Sequence, residues 1–164
     1  MNAFTRFNAR LARYGMFFSV AGLLVIVVIV AFQVFGRYVM NDSPTWTENL
    51  ALLLILYVTL VGAAVGVRDA GHIGMESLLI LIPEGPRNKL EVLIHVLVAI
   101  FGGFMVYNGW VLGASVAPYQ LPNLHVSEGW RYAPLVISGA LIILFSIEHI
   151  LALFRGIEVE PAWH

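Results

Sequence analysis

The sequence contains no cysteine and few charged residues, and both shortages restrict what the protein is. Without cysteine the chain has no disulfide, no thiolate metal site and no lipid attached through sulfur. Charged residues make up 12% of its 164 residues, about half the share typical of soluble domains. The net charge of −1 gives no electrostatic basis for binding nucleic acid. With 60% hydrophobic residues, the composition predicts a protein solvated by lipid.

Sequence signatures of catalysis are also absent. The chain has no glycine-rich phosphate loop, no nucleophile elbow and no HExxH helix. Its long apolar runs carry no Asp, Glu, Lys or Arg in their middle, where ion-coupled carriers place an ionisable group. We therefore expect a protein that is not an enzyme and has no catalytic residue, substrate site, metal or cofactor of its own.

Four long apolar runs are present instead. Residues 49–67 contain no charged side chain, and as a helix they would span about 28 Å, close to the thickness of a bilayer core. We predict an all-α integral membrane protein, with residues 1–164 forming a single four-helix domain. The first run is longer than the core of a signal peptide, so we expect a retained helix. The four predicted spans are about 14–36, 48–67, 88–117 and 132–154.

Basic residues are distributed unevenly between the connections and predict the orientation. Under the positive-inside rule the side richer in Lys and Arg faces the cytoplasm. Arg37 and Arg131 lie on one predicted side, with Trp46, Trp110 and Trp130 near them as an aromatic belt. We therefore predict cytoplasmic amino and carboxyl termini. The other side holds Arg6, Arg10, Arg13, Arg68, Arg87, Lys89 and Arg155.

Residues 75–82, MESLLILI, form a short apolar segment bounded by Gly74 and by PEGP at 83–86. The segment is too short to cross a bilayer. It is either a short helix lying in the cytoplasmic interface or an extension of span two or three.

The turn before the second span carries polar residues with a structural interpretation of their own. Thr45 and Glu48 have the spacing of a capping box, and Ser43-Pro44 offers a second helix start. Either start places Glu48 in the first turn, where a carboxylate suits the helix dipole. Arg37 likewise suits the carboxyl end of the first span.

Two further patterns allow alternative interpretations. His95 and His149 are predicted at the same depth, near the cytoplasmic ends of spans three and four, and facing histidines in a helical bundle can hold a haem. The GxxxG patterns at 62–66 and 109–113 permit close helix contact, either within the chain or with a partner.

Four segments together resemble the small membrane subunit of TRAP transporters, the tripartite ATP-independent periplasmic transporters of bacteria and archaea. A Gly129-Trp130 pair before the last span fits the same pattern, whereas Asn49 departs from it, because a second acidic residue is expected after Glu48. The resemblance covers nearly the whole chain, although its distinctive part is confined to residues 35–74. The segments are FGRYVMN at 35–41, PTWTE at 44–48, GAA at 62–64 and RDAGHIG at 68–74.

The resemblance implies a division of labour. A periplasmic solute-binding protein would capture a carboxylate-bearing solute, and a large membrane subunit would import it with sodium. This chain would be the accessory small permease subunit in the bacterial cytoplasmic (inner) membrane, packed beside the large subunit and helping to receive the binding protein. The candidate contacts to those partners are Arg37, Tyr38, Trp46 and Glu48.

Arg68 and His72 are the candidates on the cytoplasmic side. They are expected to fix the turn after span two, or to contact membrane lipids or the large subunit. Two other functions remain open at this point. One is a stand-alone four-helix carrier acting as a homo-oligomer, and the other is a haem-bearing membrane anchor subunit.

Overall fold

The computed structural model describes residues 3–41, 44–69 and 84–156. Its elements are α1 (Ala3–Phe35), a π-helix (Gly36–Met40), α2 (Thr45–Asp69), α3 (Glu84–Val116), a 3₁₀ helix (Glu128–Arg131) and α4 (Ala133–Arg155). The four α-helices are long and apolar enough to cross a membrane, so the all-α membrane prediction is confirmed. The segment 75–82, for which a short helix is one prediction, lies outside the described residues, as does His72.

The first helix begins well before the apolar run that predicts it. α1 starts at Ala3 rather than near residue 14. The reason is that Arg6, Arg10 and Arg13 interrupt the apolar composition but are good helix formers. The α-helix and the π-helix that follows it together run for 38 residues, about 57 Å, so they extend well beyond the hydrocarbon core.

The helices alternate in direction, which gives the molecule two distinct ends. The connection end holds the α1–α2 and α3–α4 connections, and the terminal end is where α1 and α3 begin and α2 and α4 finish. α4 packs against both α3 and α2, whereas α1 packs mainly against α2. α4 is accordingly the most buried of the four spans and α1 the least.

Small side chains let α1 and α2 pack closely. One face of α1 carries Asn8, Ala12, Gly15, Ser19 and Gly22, at alternating spacings of four and three, and all are buried or half-buried. A Cβ at Gly15 would lie 2.8 Å from the Val65 side chain. The Ser19 hydroxyl donates to the Val58 carbonyl at 3.3 Å. Small residues repeated along one face of a helix are a common means of close packing between membrane helices.

Glycine also sets the contact between α3 and α4. A Cβ at Gly139 would lie 2.7 Å from the Gly102 carbonyl oxygen, and a Cβ at Gly102 would lie 2.9 Å from that of Gly139. The two backbones therefore touch near the middle of the spans. Nearby, Met105 and Ile142 join Ala64 of α2 in a buried apolar cluster.

Candidate functional site

The terminal end contains a cluster of buried polar side chains from three helices. Arg68 and Asp69 close α2, Glu91 and His95 lie in the early turns of α3, and Glu148 and His149 lie in the last turns of α4. All six are nearly inaccessible to solvent. Because α2 and α4 run in opposite directions and pack together, residues 80 positions apart meet at the same depth.

Arg68 is the centre of this cluster. Its guanidinium makes a bidentate contact with Glu148, with Nε 3.0 Å from Oε2 and Nη2 3.1 Å from Oε1. Nη1 donates to Oδ1 of Asp69 at 2.8 Å. Only 1% of Arg68 and 3% of Glu148 are exposed. Two carboxylates thus contact one buried guanidinium, and Glu148 does so in the fork geometry that arginine forms best.

The two histidines stack beside this ion pair. The rings of His95 and His149 lie 4.5 Å apart and 3° from parallel. Nε2 of His149 lies 2.9 Å from the Arg68 carbonyl oxygen, and because a carbonyl only accepts, Nε2–H is the donor. The histidines share a depth, as predicted, but their stacked rings leave no gap for a porphyrin. This geometry does not match haem ligation between the two histidines.

Arg68 differs in its position from the expectation for the cytoplasmic candidates. The sequence predicts that it fixes the turn after span two, or contacts lipid or the large subunit. Its side chain lies inside the protein, bound to α4, so it is not available to a surface partner, and the turn itself lies outside the described residues. Sequence analysis missed the pairing, although opposite charges on the same predicted side of two neighbouring spans are a usable signal.

The four candidate contact residues at the connection end lie on either side of the α1–α2 connection. Arg37 and Tyr38 belong to the π-helix, whose carboxyl end is closed by Asn41 in the left-handed conformation. Trp46 and Glu48 lie in the first turn of α2. All four side chains are exposed, and Tyr38 reaches 81%. Among the described residues, neither Arg37 nor Glu48 forms an ion pair.

The side-chain hydrogen bond at the start of α2 is not the predicted capping box of Thr45 and Glu48. Glu48 does lie in the first turn, as expected. The bond is made by Thr47 rather than Thr45: the Thr47 hydroxyl donates to the Pro44 carbonyl at 2.6 Å. The Thr47 backbone N–H donates to the same oxygen at 3.2 Å.

Two hydrogen bonds tie α2 to the α3–α4 connection. Nδ2 of Asn49 donates to the Pro122 carbonyl at 3.0 Å, and the Tyr57 hydroxyl donates to the Trp130 carbonyl at 2.9 Å. Asn49 occupies the position where the family pattern leads us to expect a second acidic residue. A carboxylate there would have no proton to donate, so the amide has a structural role that an acid does not fill.

Most glycines of the two GxxxG patterns pack against other elements of the same chain. Gly109 faces Val136 of α4, Gly113 faces Tyr132, and Gly62 faces Ser19 of α1. A Cβ at Gly66, by contrast, would meet nothing within 4 Å in the described part of the chain. Close packing of neighbouring helices therefore explains three of the four glycines.

Comparison with known proteins agrees with the geometry of the four spans. Residues 26–156 match the family described as tripartite ATP-independent periplasmic transporters, DctQ component. The sialic acid TRAP transporter small permease protein SiaQ of Vibrio cholerae is 25% identical over 130 residues, which cover 79% of this chain and 75% of SiaQ.

Two further relatives match over smaller shares of their own length. The sialic acid TRAP transporter permease protein SiaT of Haemophilus influenzae is 27% identical over 81% of this chain, but the match covers 21% of SiaT. The ectoine TRAP transporter small permease protein TeaB of Halomonas elongata is 26% identical over 52% of this chain and 45% of TeaB. The family match spans most of the sequence, and with four membrane-spanning helices the chain belongs to the DctQ family, the small permease subunits of TRAP transporters.

Proposed function

We propose that this subunit is the static partner in a sodium-coupled, binding-protein-dependent importer of carboxylate-bearing solutes. It packs against the large permease and helps to receive the periplasmic solute-binding protein. The large permease holds the substrate and sodium sites. The solutes named for its relatives, sialic acid and ectoine, are both carboxylates and are consistent with this class of cargo.

The exposure of α1 is the observation that carries this proposal. The helix contacts mainly α2 and leaves most of its bulky side chains outward-facing along its whole length. Such a helix offers a long apolar surface to a neighbouring membrane protein. The match to about a fifth of the longer permease SiaT supports the same interpretation, because there a related segment is joined to a much larger remainder.

The proposed orientation places the connection end in the periplasm and the terminal end in the cytoplasm. Seven of the nine basic residues lie on the side assigned to the cytoplasm, as the positive-inside rule requires. Trp46, Trp110 and Trp130 lie towards the connection end and are all exposed, as residues of an interfacial belt would be.

In this orientation the exposed residues of the α1–α2 connection face the binding protein. Arg37 supplies a positive charge and Glu48 a negative one, while Tyr38 and Trp46 add aromatic surface. Charged residues at the rim of an interface mainly control the rate and specificity of association. We assign these four residues to that docking surface or to its border with the large permease.

Reconstitution into proteoliposomes tests the proposal. We expect sodium-driven solute uptake when this chain, the large permease and the binding protein are all present. Omitting this chain should abolish most of the uptake, and this chain alone should give none. Uptake by this chain alone would contradict the accessory role and favour a stand-alone carrier, and equal uptake under a potassium gradient would contradict sodium coupling.

Reversing the charge of Arg37 tests the docking surface separately. Arg37→Glu should lower uptake about tenfold at limiting binding protein, because reversing a charge at the rim of an interface slows association. The loss should shrink at high binding-protein concentration, and the amount of assembled complex should not change. Arg155→Glu, an exposed reversal at the terminal end, is the matched control. Equal uptake by the Arg37 and Arg155 variants would remove Arg37 from the docking surface.

A further inference from the structure

A groove lies between α3 and α4 near the connection end. Its floor consists of small residues, including Gly113, Ala114 and Ala117, and its sides include Trp110, Trp130 and Ile137. The groove has a volume of about 400 Å³ and opens to the outside of the protein. It exists because the floor residues lack bulky side chains where α3 and α4 approach each other through Gly109 and Val136.

The position of the groove places it within one leaflet of the bilayer. It extends along α3 from Gly109 to Ala117, a rise of about 12 Å. Half of a typical hydrocarbon core measures about 15 Å. The groove ends at the α3–α4 connection, where Ser127 and Trp130 lie. Its length therefore matches the acyl region of the leaflet nearer the connection end, whichever side of the membrane that leaflet faces.

The chemistry and the size of the groove limit its occupant. Its lining is almost entirely apolar, and the hydroxyl of Ser127 already donates to the Ala117 carbonyl at 2.7 Å. A polar ligand would therefore find few partners. A transmembrane helix lying along 12 Å would need roughly 1,000 Å³, more than the approximately 820 Å³ of empty space in the groove and its open mouth together. A single flexible hydrocarbon chain suits the apolar lining and is small enough for the volume of the groove.

The rim of the groove suits the polar part of a lipid. Trp130 is exposed at the end of the groove that meets the α3–α4 connection, and indole rings concentrate where acyl chains meet headgroups because their N–H donates while the ring stays apolar. Arg131 follows Trp130 and pairs with Glu128 at 3.3 Å, with about a third of each side chain exposed. This pair adds charge at the level where a phosphate headgroup would lie.

We propose that the groove is a binding site for one acyl chain of a membrane phospholipid, with the headgroup at the connection end beside Trp130 and Arg131. The bound chain fills space that α3 and α4 leave open and completes the surface of the subunit in that leaflet. The site requires only that the chain spans a bilayer, and it does not depend on the transport function proposed above.

Native mass spectrometry of the full chain in mild detergent tests the site, with palmitoyl-oleoyl-phosphatidylethanolamine as the added lipid. We expect one saturable lipid adduct. Ala114→Phe and Ala117→Phe should each lower its apparent affinity about tenfold or more, because a phenyl ring displaces several methylenes from the groove. Ala31→Phe is the matched control, since Ala31 is an exposed alanine of α1 away from the groove. Unchanged lipid binding in both groove variants, or an equal loss in the control, would overturn the proposal.

A second measurement separates lipid from a protein occupant. The chain has no cysteine, so Ala114→Cys carries a unique thiol for a benzophenone maleimide. Photolysis in native membranes should yield an adduct with phospholipid mass on the labelled peptide. A crosslink to the large permease at that position would overturn the proposal and assign the groove to the subunit interface.

Discussion

At the scale of single residues, the contact between Arg68 and Glu148 joins two parts of the chain that are distant in sequence. Taking an ion pair out of water is costly, so a buried pair is not automatically stabilising compared with apolar residues. Removing Glu148 breaks both of its hydrogen bonds to Arg68, although the guanidinium keeps its contact with Asp69. The bidentate contact is therefore expected to be sensitive to substitution of either member.

Glu148→Gln is expected to lower the free energy of unfolding by about 1.5–3 kcal/mol, because it weakens the bidentate contact with Arg68 while Asp69 still pairs with the guanidinium. Unfolding in a titration with sodium dodecyl sulfate, followed by circular dichroism, measures this. Glu128→Gln makes the same chemical change in the exposed pair with Arg131 and should cost at most about 1 kcal/mol. Equal losses in the two variants would contradict the buried-pair interpretation.

Asn49→Asp is expected to destabilise the protein by about 0.5–1.5 kcal/mol, since it replaces the donor in an exposed hydrogen bond to the Pro122 carbonyl by an acceptor. The thermal midpoint in detergent reports the change. Asn88→Asp provides the control, because Asn88 is exposed near the start of α3, where an acid suits the helix dipole. If Asn49→Asp is as stable as the control, the Asn49–Pro122 bond does not hold the connection.

At the scale of the elements, two helix pairs use two kinds of close packing. In the α1–α2 pair, small residues of α1 accept the valine side chains of α2. In the α3–α4 pair, two glycines bring backbone against backbone. A side chain can rotate away from an added methyl group, whereas a backbone carbonyl cannot, so the second contact is the less tolerant one.

The neighbouring glycines 102 and 103 allow a matched test of this difference. Gly102→Ala should destabilise the α3–α4 pair by about 1–3 kcal/mol, because its Cβ would lie 2.9 Å from the Gly139 carbonyl oxygen. Gly103→Ala meets nothing within 4 Å among the described residues and should be neutral or slightly stabilising. Thermal unfolding of both variants in one detergent gives the comparison. The reverse order of stabilities would contradict the backbone contact.

At the scale of the whole molecule, the orientation in the membrane remains a prediction that cysteine labelling can check. The chain has no cysteine of its own, so Gln120→Cys and Asn88→Cys each introduce a unique thiol, at the connection end and the terminal end respectively. An impermeant maleimide added to intact spheroplasts should label position 120 and not position 88. Permeabilisation should expose both, and the opposite labelling pattern would reverse the proposed topology.

The sequence predicts the spans better than their contacts. Apolar runs indicate where helices lie because lipid requires both length and low polarity, and the four helices agree with that. The contacts depend on neighbours that the sequence does not specify. The spacing of Gly15, Ser19 and Gly22 is a visible signal for the α1–α2 contact. The pairing of Arg68 with Glu148, and the bond from Asn49 to Pro122, needed the arrangement of helices in space.

The buried ion pair has a consequence for the time course of synthesis. Arg68 and Glu148 are separated by 80 residues, which a ribosome translates in about 4–16 s at roughly 5–20 residues per second. During that interval the first two helices exist without the carboxylate that later faces Arg68. Because Arg68 closes α2 at the terminal end, its guanidinium can stay hydrated at the membrane surface while it waits. The fourth helix then completes the pair, so the contact between α2 and α4 forms only after the last turns of α4 have been synthesised.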